Sequence, residues 1–206
     1  MLLLILANLT LEAQNIIGQN NNNIVNNPPF IKESMEDLSF SQKFDFLRLD
    51  TEQTDNGVFF RLYMGEDFGR TQKVGIPELP TYNKLIEIPY GAEIQIEYKN
   101  VVTESISLDK YGKYKVIPSQ KSLSKSKDFE PFIIDDKVYS SNTFVGNDLV
   151  RVEQLGFMSS MRLARLVISP IKYNPGKNVI EIVRSFDVTI KFVNADIKST
   201  INAKRI

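Results

Sequence analysis

The sequence predicts an all-β protein: an antiparallel β-sandwich of jelly-roll-like form, built as a single domain. Three observations carry this expectation. Hydrophobic residues recur with a period of two in segment after segment from residue 44 onward. Gly, Asn, Asp and Pro punctuate those segments at regular intervals. No helical stripe of useful length interrupts them. About nine strands with regular turns fit a sandwich, and 206 residues with 42% hydrophobic content suffice for one sizeable core.

Taken in order, residues 1–13 read as a secretory signal. The apolar run Leu2–Leu11 is too short to span a bilayer, so no stable membrane span is expected. It resembles an h-region, with Ala13 before the cut and Gln14 as the new first residue. No basic residue precedes the run, as in a truncated signal. The sequon Asn8–Leu9–Thr10 falls inside the run and would leave with it. Residues 14–40 are expected to form an Asn/Pro-rich linker and lead-in, because "NIIGQNNNNIVNNPP" has little apolar surface to bury. A single helical turn is expected around "KESMEDL".

Residues 41–195 should form the sandwich. "FDFLRL" (44–49) sets Phe44, Phe46, Leu47 and Leu49 against Asp45 and Arg48, and "TDNG" joins it to "GVFFRLYM" (57–64) as a hairpin. "VGIPELPTYNKLIEIPYG" (74–91) carries Pro77, Pro80 and Pro89, which predicts an edge or crossing segment rather than a central strand. "AEIQIEYKN" (92–100) alternates Ile94, Ile96 and Tyr98 with Glu93, Gln95, Glu97 and Lys99. "ESISLDKYGKYKVIP" (104–118) adds two short strands around Tyr111–Gly112. The strands "RLARLVISPIKY" (162–173) and "NVIEIVRSFDVTIKFV" (178–193) flank the turn signal "NPGK". Residues 196–206 are left as a tail or a junction to a following domain.

Composition narrows function sharply. With no Cys and no His, the chain can form no Cys–His or Ser–His dyad and no zinc site of the usual kind. Catalysis by this chain alone is therefore not expected, nor is a cofactor. Balanced charge, 25 basic against 25 acidic residues, argues against nucleic acid as a partner. Asp135–Asp136 with Asp128 and Glu130 could suggest calcium, but the spacing matches no calcium loop and reads as a solvated acidic turn, so no metal is expected. Phe59, Phe60, Tyr63, Tyr98, Tyr111 and Tyr114 could form a glycan-stacking platform. At period-two positions, core or cross-strand pairs are the simpler reading.

The stretch "VIPSQKSLSKSKDFEPF" (116–132) breaks the β pattern with three lysines, Lys121, Lys125 and Lys127, in its polar part. Such a loop is ordinarily only a solvated surface. Its neighbours change that reading. "GIPELPTYNKLIEIPYGAEIQIEY", "VIPSQKSLSKS" and "ISPIKYNPGKNVIEIVRSFDVTIKF", in that order, resemble the N-terminal propeptide of gingipain-like cysteine peptidases, which are secreted, caspase-like peptidases of family C25. The features that carry the likeness are the Gly75–Pro80 block, Pro118–Ser119, and the Tyr173–Asn174–Pro175 hairpin.

The resemblance implies an exported, non-catalytic pro-domain that covers a caspase-like catalytic domain, in cis or in trans, assists its folding and keeps it latent. It also implies that a basic loop residue enters the S1 pocket. The family pattern, a hydrophobic residue, then Ser, then Arg or Lys, falls on Leu123–Ser124–Lys125, with Lys121 or Lys127 in that role after a small register shift. A lysine on an extended loop can reach an acidic pocket, and its burial is tolerable when a carboxylate pairs with it. Lys204–Arg205 matches the basic junction at which such pro-domains are cut. The alternatives are a stand-alone cell-surface module binding glycan or protein, and an inhibitor acting in trans.

Overall fold

The computed structural model describes residues 15–18, 26–121 and 131–204. The first strands are β1 (Asn15–Gly18), β2 (Lys32–Glu33), β3 (Asp37–Lys43), β4 (Phe46–Thr54), β5 (Gly57–Tyr63), β6 (Phe68–Arg70), β7 (Pro80–Glu87) and β8 (Glu93–Ser107). A 3-10 turn (Leu108–Lys110), β9 (Lys115–Val116) and α1 (Asp136–Tyr139) follow. The chain then forms β10 (Val150–Met158), β11 (Met161–Ile168), β12 (Ile171–Asn174), β13 (Val179–Val193) and α2 (Ile197–Ala203).

Three sheets share one core in a sandwich-like arrangement, as expected of an all-β chain. The first has the order β1-β4-β5-β9 and the second β10-β11-β7-β6. The third is organised by the 15-residue β13. Along one edge β13 pairs with β8, and along the other with β12 and then β3. Its sequence explains this position. Ile180, Ile182, Phe186, Val188, Ile190 and Phe192 are all buried on one face, the period-two pattern of a strand with one side in the core. Arg184 occupies the same phase; there it pairs with Glu104 and donates to Phe44 O, so the one charge in the row is satisfied.

Phe44 ties the sheets together. It lies between β3 and β4, is 1% exposed, and meets Phe68 of the second sheet edge-on at 5.9 Å and Phe186 of β13 at 6.3 Å. Full burial of such a ring contributes roughly 1.5–3 kcal/mol.

The β4–β5 hairpin and β13 form as the sequence predicts. Elsewhere the structure corrects the expectation. "KESMEDL" is not helical: Ser34 turns the chain by accepting bonds from the Glu36 and Asp37 amides, and Leu38 and Phe40 then enter β3. Part of the Asn-rich stretch belongs to the fold. Asn15–Gly18 pair with β4, and Asn26, 3% exposed, donates to the carbonyls of Phe46 and Met64 while accepting from the Phe46 amide. An amide side chain can satisfy strand backbone groups as a neighbouring strand would.

The expected strand 92–100 and the segment after it are one strand, β8. It passes through Asn100 at φ 52 and a register shift opposite Ser185; Asn tolerates that left-handed conformation. "RLARLVISPIKY" divides at Ser169–Pro170 into β11 and β12, which serve different sheets, because proline has no amide to donate to the ladder. The proline-rich segment supplies an interior strand after all: β7 lies between β11 and β6, with Pro80 as its first residue and Pro77 and Pro89 outside it. Among the described residues one strand pair, β5 with β9, is parallel.

Candidate functional site

The three sequence blocks that stood out, Gly75–Pro80, Pro118–Ser119 and Tyr173–Pro175, converge in space at the base of the lysine-rich loop. The chain enters that loop from β9, which lies against β5: the Ile117 amide donates to Phe60 O at 2.8 Å. On its other side lies the Gly75–Pro80 block. Glu78 N donates to Ile117 O, Ser119 N to Ile76 O, and Gly75 N to Ser119 O, each at 2.8 Å, with Pro77 and Pro118 bridged between them. The block therefore continues the first sheet beyond its named strands, and the prolines sit where an amide is not required.

The loop's exit is fixed to the same block. Asp135 N donates to Gly75 O at 2.9 Å. The Gln120 side chain then closes entry to exit, donating to Ile133 O and accepting from Ile133 N, both at 2.9 Å. Phe132 stacks on Phe59 with centroids 5.5 Å apart. Asp135 caps α1 by accepting from the Lys137 and Val138 amides, and Tyr139 at the end of that turn donates to Val116 O at 2.7 Å. Residues 121 and 132 thus leave a closed frame.

Gly75 explains why this frame needs its glycine. Its φ is +81, which side-chain-bearing residues rarely adopt. An added Cβ would also sit 3.3 Å from both Asp135 N and Ile133 Cγ2.

A buried tyrosine, Tyr173, and the half-buried Tyr139 support the frame. Tyr173, wholly buried, donates to Asn178 Oδ1 at 2.7 Å and accepts from the Val116 amide at 3.4 Å. Asn178 donates onward to Asp109 and to Tyr114 O, and Lys115 donates to Pro175 O. Burial pushes the Tyr173 hydroxyl well above its ordinary range, partly opposed by its bond to Val116. Tyr139 is pushed up for the same reason, with the neighbouring Tyr173 and Glu78 adding to it. Gly176 passes so close to Ser141 and Asn142 that a Cβ there would collide with the Asn142 side chain and the Ser141 carbonyl.

A cluster of paired charges lies on one flank of the frame. Glu78 accepts from Arg61, which also pairs with Glu52, and Arg70 approaches Glu78 at 3.4 Å. Burial raises the Glu78 carboxyl, and the two guanidiniums only partly offset it. Beside this cluster an open groove of about 750 Å3 runs past Arg70, Glu78, Ser119, Gln120 and Lys121.

Among the expected site residues, Lys121 is exposed at the loop's entry. Leu123, Ser124, Lys125 and Lys127 lie outside the described residues, as do Asp128, Glu130, Ala13, Gln14 and Arg205. Lys204 ends α2. Asp135 and Asp136 serve the cap and first turn of α1, and among the described residues no three Asp or Glu side chains gather as a metal site. The aromatic set forms no platform: Phe60 packs on Tyr114, Tyr63 on Phe46, and Tyr98 bonds Val150 in a different sheet. Gln120 and Tyr139 were not foreseen, because their partners, the Ile133 backbone and the Val116 carbonyl, leave no pattern in the sequence. Among the described residues no helix is long and apolar enough to cross a membrane.

Comparison with known proteins places these features in a family. The Propeptide_C25 family model matches residues 14–205. Lys-gingipain of Porphyromonas gingivalis is 36% identical over 162 residues, covering 78% of this chain and 9% of that protein. Lys-gingipain HG66 from the same organism matches with the same identity and coverage. The chain therefore spans less than a tenth of the length of these curated relatives. A solved structure addressing the zymogenic latency of gingipain K from P. gingivalis is similar with a TM-score of 0.78 and 29% identity, over 89% of this chain and 100% of that one. A complex of P. gingivalis RgpB pro- and mature domains is similar with a TM-score of 0.68 over 81% of this chain and 86% of that one; at 15% identity this is a likeness of fold.

Proposed function

The chain belongs to the Propeptide_C25 family, and from that premise we propose that it is the pro-domain that keeps an exported, gingipain-like cysteine peptidase latent. It does so by presenting Lys125, preceded by Leu123 and Ser124, to the S1 pocket of the peptidase's catalytic domain. The observation that carries this reading is the closed frame at the loop's base. Entry and exit are fastened to one another through Gln120 and Ile133 and to one block through Gly75. A segment held in this way forfeits less conformational entropy on binding, which is how preorganised inhibitors gain affinity. The lysine ammonium, a compact cation on a long stem, suits a pocket closed by a carboxylate.

Export would follow from cleavage between Ala13 and Gln14. Separation from the catalytic domain would follow at Lys204–Arg205. The pro-domain acts in cis when the peptidase follows on the same polypeptide and in trans otherwise. The test is to add the purified chain to the mature catalytic domain of its own precursor. Stoichiometric, competitive inhibition is expected. Full activity at saturating chain would overturn the proposal.

A further inference from the structure

Lys204, the first basic residue of the candidate junction, sits at the end of a docked helix with its side chain engaged. The helix that carries it is docked by specific bonds. Asp196 N donates to Tyr90 O at 2.6 Å, and the Asp196 carboxylate accepts from Ser199 N at 2.9 Å. Thr200, 1% exposed, donates its hydroxyl to Asp196 O and accepts from the Tyr90 amide at 2.9 Å. α2 is thereby bonded to the turn that follows β7. At its far end Lys204 caps the helix with φ −79 and ψ −10. Its Nζ donates to Glu87 Oε2, on β7, at 2.8 Å. Among the described residues the other Glu87 oxygen is buried without a hydrogen-bond partner, and Lys204 is the cation set against this carboxylate.

Recognition by a peptidase ordinarily requires an extended backbone and a free side chain for the specificity pocket. Lys204 offers a helical backbone and an ammonium already engaged. We propose that α2 is a latch: Glu87 and Thr200 withhold Lys204 from lysine-specific cleavage, which proceeds only through local opening of the helix. The reaction withheld is simple hydrolysis, in which water adds across the Lys204–Arg205 bond to leave a carboxylate on Lys204 and an amine on Arg205. Cleavage that requires opening tracks the population of the open form. The biological meaning of the latch, a cut that waits until this end of the domain has let go, rests on the pro-domain reading. The latch itself does not.

The test digests the 206-residue chain, tagged after Ile206, with a lysine-specific endopeptidase and follows release of the tag. Cleavage after Lys204 should be at least about 10-fold slower than in a synthetic peptide spanning 195–206, as for a bond protected by local structure. Glu87→Gln should accelerate it about 2- to 5-fold, the range of a partly exposed ion pair. Thr200→Val, which leaves the Tyr90 amide unpaired, should accelerate it roughly 10-fold or more. Cutting at exposed lysines outside α2 should not change in either variant. Native cleavage at the peptide's rate, or no acceleration in Glu87→Gln, overturns the latch. Should Thr200→Val fail to fold, the peptide comparison and Glu87→Gln still decide. Because the endopeptidase is not the proposed partner, failure here is distinguishable from failure of the inhibition assay.

Discussion

The base of the lysine-rich loop and the C-terminal helix are both attached to the same sandwich, but by different means. The loop base is fastened by backbone ladders, a buried tyrosine and a glutamine that bonds backbone in both directions. α2 is fastened by a single backbone bond, one buried hydroxyl, one exposed carboxylate cap and one partly exposed ion pair. Buried, uncharged bonds are costly to break singly and insensitive to salt. Exposed charged ones are weak and easily screened. The difference suits the proposed roles: one end holds its shape while it is bound, and the other can be released.

The largest break in this contrast should come from Gly75→Val. A β-branched residue at φ +81, with its Cβ against Asp135 N and Ile133, should cost about 2–3 kcal/mol. Thermal denaturation should show a clear fall in Tm, and inhibition should weaken with it. A Tm unchanged from wild type would mean that the loop base is not rigid.

Tyr173→Phe comes next. It strips Asn178 and the Val116 amide of a buried partner and should cost about 1–2 kcal/mol, measurable by urea denaturation. The same hydroxyl sets an alkaline limit. Burial raises Tyr173 and Tyr139 above the ordinary value, so the unfolded chain ionises first as pH rises. Their contribution is complete below about pH 10, the ordinary tyrosine value, and is lost as pH climbs beyond it. Stability measured from pH 8 upward should fall more steeply in wild type than in Tyr173→Phe.

Gln120→Ala should be milder in stability, about 1 kcal/mol, because its groups are only partly buried. Its mark should be local: amide exchange at Ile133 should quicken while β13 is unaffected. Uniform quickening would deny Gln120 its role as a clamp.

The smallest effect concerns Asp196, and it has the opposite pH sense. Its bonds from Ser199 depress the carboxyl below its ordinary value. The cap is therefore complete above about pH 4 and lost as pH falls through the depressed value. Acid should loosen α2 and alkali the loop base, which exchange measurements at the two extremes would separate.

How much of this could be read from the sequence depends on the kind of interaction. "TDNG" and the alternation of "NVIEIVRSFDVTIKFV", interrupted only at Arg184, encode local geometry, and both elements form as read. β10 escaped because Gln154–Ser159 are all exposed and Leu155, Phe157 and Met158 show no buried face to mark a strand. Asn26 and Gln120 escaped for a different reason. Each acts on backbone far along the chain, from residue 26 to 46 and 64 and from 120 to 133, and a polar residue in a polar stretch gives no hint of a remote partner. The prolines of 77–89 misled because proline forbids only the amide bond at its own position, and β7 begins at one.

The central claim is that this frame presents Lys125 to a basic-specific pocket. Its most direct test is the inhibition constant of the chain against its mature peptidase, for wild type and Lys125→Ala, with Lys121→Ala and Lys127→Ala beside them. Truncating a buried, paired charge should weaken inhibition by roughly 30-fold or more, while the other two variants remain within about 3-fold of wild type, as for rim residues. An inhibition constant unchanged in Lys125→Ala would contradict the account.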